Sequence, residues 1–189
     1  MPKTYSIIDD AMKAFIESQH VFFVGTAPSD SDGHVNLSPK GMEALKVTNP
    51  DSVAYLDYVG NGVETIAHLR DNGRIVIMMC AFEGDPKIVR LHGHGEVIEP
   101  PDDEFAELIS RFGDNGSQRG LRAVIQIKVD QVRESSGNGV PLYSFQGQRS
   151  QWNEWAAHRS DEALRRYQRE ENVLSVDGLP ALKWPGRKP

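Results

Sequence analysis

His-Val-Asn-Leu-Ser-Pro-Lys-Gly, residues 34–41, is the stretch from which the organisation of this chain is best worked out. Its apolar and polar residues alternate, which is the period of a β-strand with one apolar face. The alternation places Asn36 and Ser38 on the face opposite Val35 and Leu37. The preceding β-rich residues and a turn at 29–33 predict that this strand is the second of a hairpin.

The end of this strand concentrates polar groups. Pro39 has no N–H to donate and is predicted to end the ladder, while Lys40 follows and Gly41 lets the backbone turn. The Ser38 hydroxyl, the Asn36 amide and the Lys40 ammonium then converge, and a small anion such as a phosphate monoester is bound by such groups. An edge strand with solvated polar residues is the alternative.

Size and composition set limits on the class of protein. The chain has 189 residues with 39% hydrophobic and 25% charged residues, which fits one globular domain with an appendage. A net charge of −6 argues against non-specific nucleic-acid binding. The single cysteine, Cys80, excludes an intrachain disulfide and is predicted to be buried and inert. No membrane-spanning run or signal peptide is visible, so a cytoplasmic protein is expected.

The remaining patterns mix helices and strands. We predict helices at 6–18, 63–71 and 102–112, strands at 20–26, 52–59, 74–82, 87–98 and 121–132, and two polar helices at 151–159 and 161–171. This order favours an α+β, mainly β fold with antiparallel strands, a barrel or sandwich, over a doubly wound sheet. Residues 1–149 are predicted to form the domain, and 150–189 a helical extension packed on it.

A turn from Gly60 to Thr65 joins a strand to a helix, as a dinucleotide fingerprint would. Its third glycine is replaced by Thr65, which disfavours that interpretation. Asn61 as an N-cap and Glu64 as its capping-box partner would explain both residues without a ligand. A helix N-terminus also offers N–H groups to an anion, and Asn61 or Thr65 would join them.

The long strand at 87–98 carries Arg90, His92 and His94 on one face. No third ligand at a suitable spacing completes a metal site, so no metal is predicted. Arg90 is better explained as an anion-binding or dimer-interface residue, with a solvated strand face as the alternative. The glycines in this strand predict a bulge or a close backbone approach.

Taken together, residues 36–41, 55–62, 72–77 and 89–97 resemble the FMN-binding split-barrel family related to pyridoxamine 5′-phosphate oxidase. The resemblance runs from about Met1 to Val132, and residues 140–143 and 175–180 resemble the C-terminal extension of one subgroup. True pyridoxamine-phosphate oxidases have Ser-Arg-Lys before the short helix, where this chain has Gly60-Asn61-Gly62. They also end in an Arg-Leu-x-Pro signature that this chain lacks, so a different substrate is expected.

The resemblance implies a six-stranded antiparallel split β-barrel with flanking helices, which forms a homodimer with FMN at the subunit interface. It implies that the second strand and the turn before the short helix face the flavin phosphate and ribityl chain. The implied cofactor-binding residues are Asn36, Ser38, Pro39, Lys40, Gly41, Gly60, Asn61, Thr65 and Arg90.

The leading hypothesis is therefore a dimeric FMN-dependent oxidoreductase that acts on an unidentified small molecule, without a membrane or nucleic-acid partner. The flavin carries the redox chemistry in such proteins, so no catalytic side chain is assigned. A non-catalytic protein that binds or senses flavin, deazaflavin or haem is the alternative. An apo structural dimer is a third possibility.

Overall fold

The computed structural model describes residues 3–117 and 119–184. Within them the chain forms eight strands, five α-helices and one 3-10 helix. The elements are β1 (Lys3–Tyr5), α1 (Asp10–Ser18), β2 (Phe22–Thr26), β3 (Asn36–Lys40), β4 (Leu45–Asn49), β5 (Ser52–Tyr58), α2 (Glu64–Asn72), β6 (Arg74–Cys80), β7 (Lys87–Ile98), α3 (Asp103–Ser110), the 3-10 helix (Gly113–Ser117), β8 (Leu121–Ser136), α4 (Gln151–Ala157) and α5 (Asp161–Glu171).

All strands pair antiparallel in one sheet, in the order β3-β2-β6-β7-β8-β5-β4, and β1 adds to β8. The predicted class, α+β with a mainly antiparallel sheet, is confirmed. The expected count of six strands is wrong, because the structure has eight. The two strands without a sequence prediction are β1, which has three residues, and β4, where the alternation of Leu45 and Val47 with Lys46 and Thr48 was missed.

The core lies on the face of the sheet that carries Val24, Ile77 and Leu91, which we call the inner face. These three side chains are in register on β2, β6 and β7 and are fully buried. Helix α2 packs on β7 and β2 through a buried side that includes Ile66 and Leu69. The first turn of α2 is thereby fixed beside β2 and β3.

Strand β3 is oriented with its polar side inward. Ser38 is in register with Val24, and Lys40 with Phe22, so both lie on the inner face. Leu37 is 67% exposed, and Val35, just before the strand, is 78% exposed. The predicted opposition of polar and apolar residues is confirmed. Of the alternative, the edge position of the strand is confirmed as well, and Asn36, Ser38 and Lys40 are partly rather than fully exposed.

Several predicted boundaries need correction. Pro39 does not end the ladder: β3 continues to Lys40, because an edge strand tolerates a residue without an N–H. Helix α1 begins at Asp10, and its N-cap is Asp9, whose carboxylate accepts from the Met12 N–H at 2.8 Å. Helix α2 ends at Asn72, and Gly73 follows as its C-cap with a left-handed φ of 73°.

The C-terminal residues pack against the same chain. The Trp152 ring lies 4.7 Å from Tyr58, and its indole N–H donates to the Val59 carbonyl at 2.7 Å. The residues after α5 contact buried Glu99, which accepts from the Lys183 N–H at 3.0 Å. Glu99 also pairs with Arg70 of α2. The extension therefore contacts Tyr58, Val59 and Glu99 of its own chain. Residues 185–189 of the predicted extension lie outside the described residues.

Candidate functional site

The inward side of β3 begins a group of polar side chains that we call the β3 cluster. Its members come from β2, β3, β5, α2 and β8: Thr26, Asn36, Ser38, Lys40, Tyr55, Asp57, Thr65, His68 and Arg122. Four of the predicted site residues, Asn36, Ser38, Lys40 and Thr65, are brought together here.

One half of the β3 cluster is ionic. The Lys40 ammonium donates to Asp57 Oδ1 at 2.8 Å, and Arg122 Nε donates to Asp57 Oδ2 at 2.7 Å. The side chains of Asp57 and Arg122 are 1% and 4% exposed. Burial alone raises the pKa of Asp57, but the charges and hydrogen bonds of Arg122 and Lys40 outweigh it, so the pKa lies below its ordinary value. Two cations thus share one carboxylate, which leaves an excess positive charge.

The other half is neutral and hydrogen-bonded. The Asn36 amide donates to the hydroxyl groups of Thr26 and Thr65, at 3.0 Å each, and its oxygen accepts from Ser38 at 2.8 Å. These contacts fix which end of the Asn36 amide faces Ser38. The Ser38 proton points at Asn36 in this arrangement, and the hydroxyl would have to turn it away from Asn36 Oδ1 to donate to an anion.

A buried histidine continues this chain of hydrogen bonds. His68 Nδ1 lies 2.9 Å from the Thr26 hydroxyl. The imidazole tautomer decides which of the two groups donates in this contact. Burial lowers the pKa of His68, against the opposing charges of Asp177, Glu64 and Asp71. The neutral imidazole is therefore part of the scaffold behind Asn36.

Two buried polar atoms of this region lack a partner within the described residues. They are Tyr55 Oη and His68 Nε2. The Tyr55 hydroxyl approaches Thr65 without a well-formed hydrogen bond, and burial and the charge of Asp57 raise its pKa well above the ordinary value. The Lys40 ammonium lies 5.4 Å from the centre of the Tyr55 ring. Unpaired buried polar atoms are costly and are found where a site is made for a ligand or water.

The turn before α2 is held by Arg122. Its guanidinium donates to the carbonyls of Gly60 and Gly62, at 3.3 and 2.7 Å, and Asn172 of the extension also donates to Gly60. The predicted N-cap, Asn61, is wrong: the cap residue is Val63, which has no side-chain cap hydrogen bond. Asn61 is exposed at the tip of the turn.

Glu64 reduces the attraction of this helix start for an anion. Its carboxylate accepts from the Val63 N–H at 3.0 Å, so a negative charge already occupies the first turn. The helix amides are therefore a weaker anion site than the sequence pattern suggests. For binding an anion, Lys40 and Ser38 of β3 are better placed than the amides at the start of α2.

Three other predicted residues lie apart from the β3 cluster. Pro39 pairs with Phe23 of β2, Phe23 pairs with Met78 of β6, and Met78 pairs with Arg90 of β7. Pro39 and Arg90 therefore lie on the same face of the sheet, the outer one. Arg90 donates to Ser135 there at 3.2 Å. Gly41 follows β3, and a Cβ added there would lie 3.0 Å from Gln148 Oε1 and 3.2 Å from the His20 carbonyl oxygen. A role for Arg90 at the interface between two copies, rather than within this cluster, stays a prediction.

Sequence reasoning missed Asp57, Arg122, Tyr55, Thr26 and His68. A signal was present for two of them, because Asp57 lies within the mostly apolar residues 53–59 and Arg122 directly precedes the apolar residues 123–125, and a buried charge requires a partner. Among the described residues, no group of three or more His, Cys, Asp or Glu side chains forms a metal site. No helix in the described ranges is long and apolar enough to cross a membrane.

Comparisons with known proteins agree with this architecture. The family model described as pyridoxamine 5′-phosphate oxidase matches residues 8–136. The pyridoxamine 5′-phosphate oxidase family protein ustO of Aspergillus flavus is 37% identical over 199 residues, which cover 96% of this chain and 78% of ustO.

Two solved structures share the fold at lower identity. HupZ of Group A Streptococcus has a TM-score of 0.53 at 22% identity, covering 66% of this chain and 91% of HupZ. A Lactobacillus delbrueckii protein assigned to pyridoxamine 5′-phosphate oxidase has a TM-score of 0.51 at 17% identity, covering 68% and 94%. Because the family model spans more than half of the chain and ustO matches nearly all of it, this chain belongs to the pyridoxamine 5′-phosphate oxidase family.

Proposed function

We propose that this protein is an FMN-dependent oxidoreductase that acts on a small molecule, with the flavin phosphate held by Lys40 and Ser38. The observation that carries the proposal is the composition of the β3 cluster, in which two cations face one buried carboxylate. A phosphate monoester supplies the negative charge that this arrangement lacks. FMN, when bound, supplies the electron transfer, and the protein supplies binding and orientation.

Each residue of the cluster has a distinct proposed part. Lys40 uses one hydrogen-bond contact on Asp57 and has further N–H groups for a phosphate oxygen. Asn36 and Thr65 hold Ser38 in place, since their hydrogen bonds run within the cluster. The backbone at Gly60 and the exposed Asn61 border the turn through which the ribityl chain would pass.

Two copies of the chain are proposed to form the working unit. Val35 and Leu37 expose large apolar surface on the outer side of β3, and Pro39 and Arg90 share that face. Exposed apolar patches of this kind mark protein interfaces. A homodimer through this face would bring Arg90 of each copy to the boundary between the two subunits.

The dimer is tested by Leu37→Arg. This change places a charge in the proposed interface, and we expect the protein to run as a folded monomer in sedimentation analysis where the wild type is a dimer. Ile7→Arg is the matched control, because Ile7 is an apolar residue that is 56% exposed and lies beside the turn between β4 and β5, at the opposite end of the strand order from β3. An unchanged dimer in Leu37→Arg, or equal dissociation in both variants, contradicts the interface.

Flavin binding is tested by Lys40→Met combined with Ser38→Ala, which keep the shape of the strand and remove the phosphate contacts. Hydrogen bonds to charged groups contribute about 1.5–3 kcal/mol, so we expect the Kd for FMN to rise at least 10- to 100-fold. Lys13→Met, at an exposed position of α1, makes the same change in net charge as a control. Circular dichroism checks the fold, and titration of flavin fluorescence measures the Kd.

The outcome separates the candidate functions. Unchanged FMN affinity in the double variant refutes the phosphate site. If FMN binds to the wild type, anaerobic mixing with NADH and NADPH then tests turnover: bleaching of the flavin supports an oxidoreductase. If the flavin binds but neither nucleotide reduces it, and no substrate changes its oxidation state, the protein is a non-catalytic flavin-binding protein instead.

A further inference from the structure

A cavity that is separate from the β3 cluster opens at the end of the sheet where β2 begins and β6 ends. Its volume is about 600 Å³, large enough for a molecule of one or two rings. The lining comes from residues 18–21, from Phe82 and Glu83 after β6, and from residues 143–146 of the extended segment before α4. We call this cavity the aromatic cleft.

The far wall of the aromatic cleft is held in place by hydrogen bonds. The Tyr143 N–H donates to the Phe82 carbonyl at 3.0 Å, and the Phe145 N–H donates to Glu83 Oε1 at 3.0 Å. Gln148 ties the same segment to the His20 carbonyl and to the Met42 N–H. This segment forms neither a helix nor a strand, yet hydrogen bonds to Phe82, to Glu83 and to the residues around β2 and β3 hold it in place.

Aromatic rings face the cleft from all three segments. The rings of His20 and Phe145 stack in parallel, with centroids 3.5 Å apart and an angle of 9° between planes. Phe82 and Tyr143 form a second, tilted pair at 5.5 Å. Tyr143 remains 62% exposed and Phe145 44% exposed, so ring surface is left open for a third flat partner.

The charge at the cleft selects the kind of aromatic molecule. Among the described residues that line it, Glu83 is the carboxylate, and one of its oxygens accepts from Phe145. The second oxygen is available to an ammonium or N–H donor from a ligand. The other polar groups at the lining are neutral hydroxyls and amides, together with His20.

We propose that the aromatic cleft binds a small planar aromatic ring that carries an alkylammonium group, with the ring against Phe145 and Tyr143 and the ammonium at Glu83. The site lies beyond the proposed flavin site and does not depend on it. It adds a place for a cationic aromatic ligand close to the end of β3, because Gln148 links the wall of the cleft to the residues that follow Lys40.

Tryptamine is the probe, titrated into the full chain and followed by saturation-transfer NMR. Indole-3-acetate, with the same ring and a negative charge, and 2-cyclohexylethylamine, with the amine but no aromatic ring, are the comparison compounds. We expect tryptamine to bind saturably and at least 10-fold more tightly than either. Equal affinity for the three compounds, or no saturable binding of tryptamine, overturns the proposal.

Three variants locate the binding. Phe145→Leu keeps apolar volume and removes the ring, so we expect tryptamine to bind about 3- to 10-fold more weakly. Glu83→Gln keeps the acceptor for the Phe145 N–H and removes the charge, so the preference for tryptamine over indole-3-acetate is expected to disappear. Leu142→Ala is the control: Leu142 is exposed on the same segment but does not line the cleft.

Sedimentation distinguishes a ligand site from a contact between copies. The proposal requires that Phe145→Leu leave the oligomeric state of the protein unchanged. If this variant dissociates an oligomer that the wild type and Leu142→Ala both form, the aromatic cleft is an interface and the ligand proposal is wrong.

Discussion

Asp57→Asn is expected to lower the free energy of unfolding by about 3–5 kcal/mol, the range for breaking a buried ion pair by removing one partner. The asparagine fits the same space, but it leaves the charge of Arg122 without a counterion at a site that is 4% exposed. Lys40 loses its carboxylate partner as well. Urea denaturation followed by circular dichroism measures the change.

Asp51→Asn is the matched control for this experiment. Asp51 also pairs with a cation, Lys128, but that pair is largely exposed to solvent. Exposed ion pairs are screened by water and contribute little. A loss of stability in Asp57→Asn that is no greater than in Asp51→Asn would show that the β3 cluster does not depend on its carboxylate.

The same residue predicts how stability depends on pH. The pKa of Asp57 in the folded chain lies below its ordinary value of 3.8, so ionised Asp57 stabilises the folded state above that pH. This contribution is lost as the pH falls through the folded-state pKa. We expect the wild type to lose stability more steeply than Asp57→Asn on acidification below about pH 4.

Local patterns in the sequence were sufficient for much of the fold. The strand at 87–98 and the helix at 161–171 were predicted with the bounds that the structure has, because turn residues and capping groups delimit them. The bulge or close approach expected at the glycines of β7 is confirmed at Gly93, where the register with β8 shifts. Each of these features depends on residues close together in the chain.

The ionic half of the candidate site could not be predicted in the same way. Lys40 and Asp57 are 17 residues apart, and Asp57 and Arg122 are 65 apart. Their contact depends on which strands are neighbours and in what register, and neither is encoded in local periodicity. The neighbours and register of β3 also decide that its polar side faces inward. Alternation in the sequence separates the two faces of a strand, but it does not indicate which face meets the core.

Gly93→Ala is expected to destabilise the fold by about 3 kcal/mol, at the upper end for overpacking a buried site. A Cβ at this position would lie 2.0 Å from the carbonyl oxygen of Lys128 on β8, and a backbone atom between two paired strands has no rotamer into which it can move. The φ angle of Gly93 is not in the left-handed region, so steric overlap is the cause.

Gly139→Ala separates this overlap from the general effect of replacing a glycine. An added Cβ at Gly139 meets no atom within 4 Å, and its φ is also outside the left-handed region. Such a change is expected to be neutral or to stabilise by about 0.4–1 kcal/mol through the unfolded state. Thermal and urea denaturation of both variants give the comparison. If Gly93→Ala were as stable as Gly139→Ala, β7 and β8 would have to separate at little cost, contrary to the close approach of these two strands at Gly93.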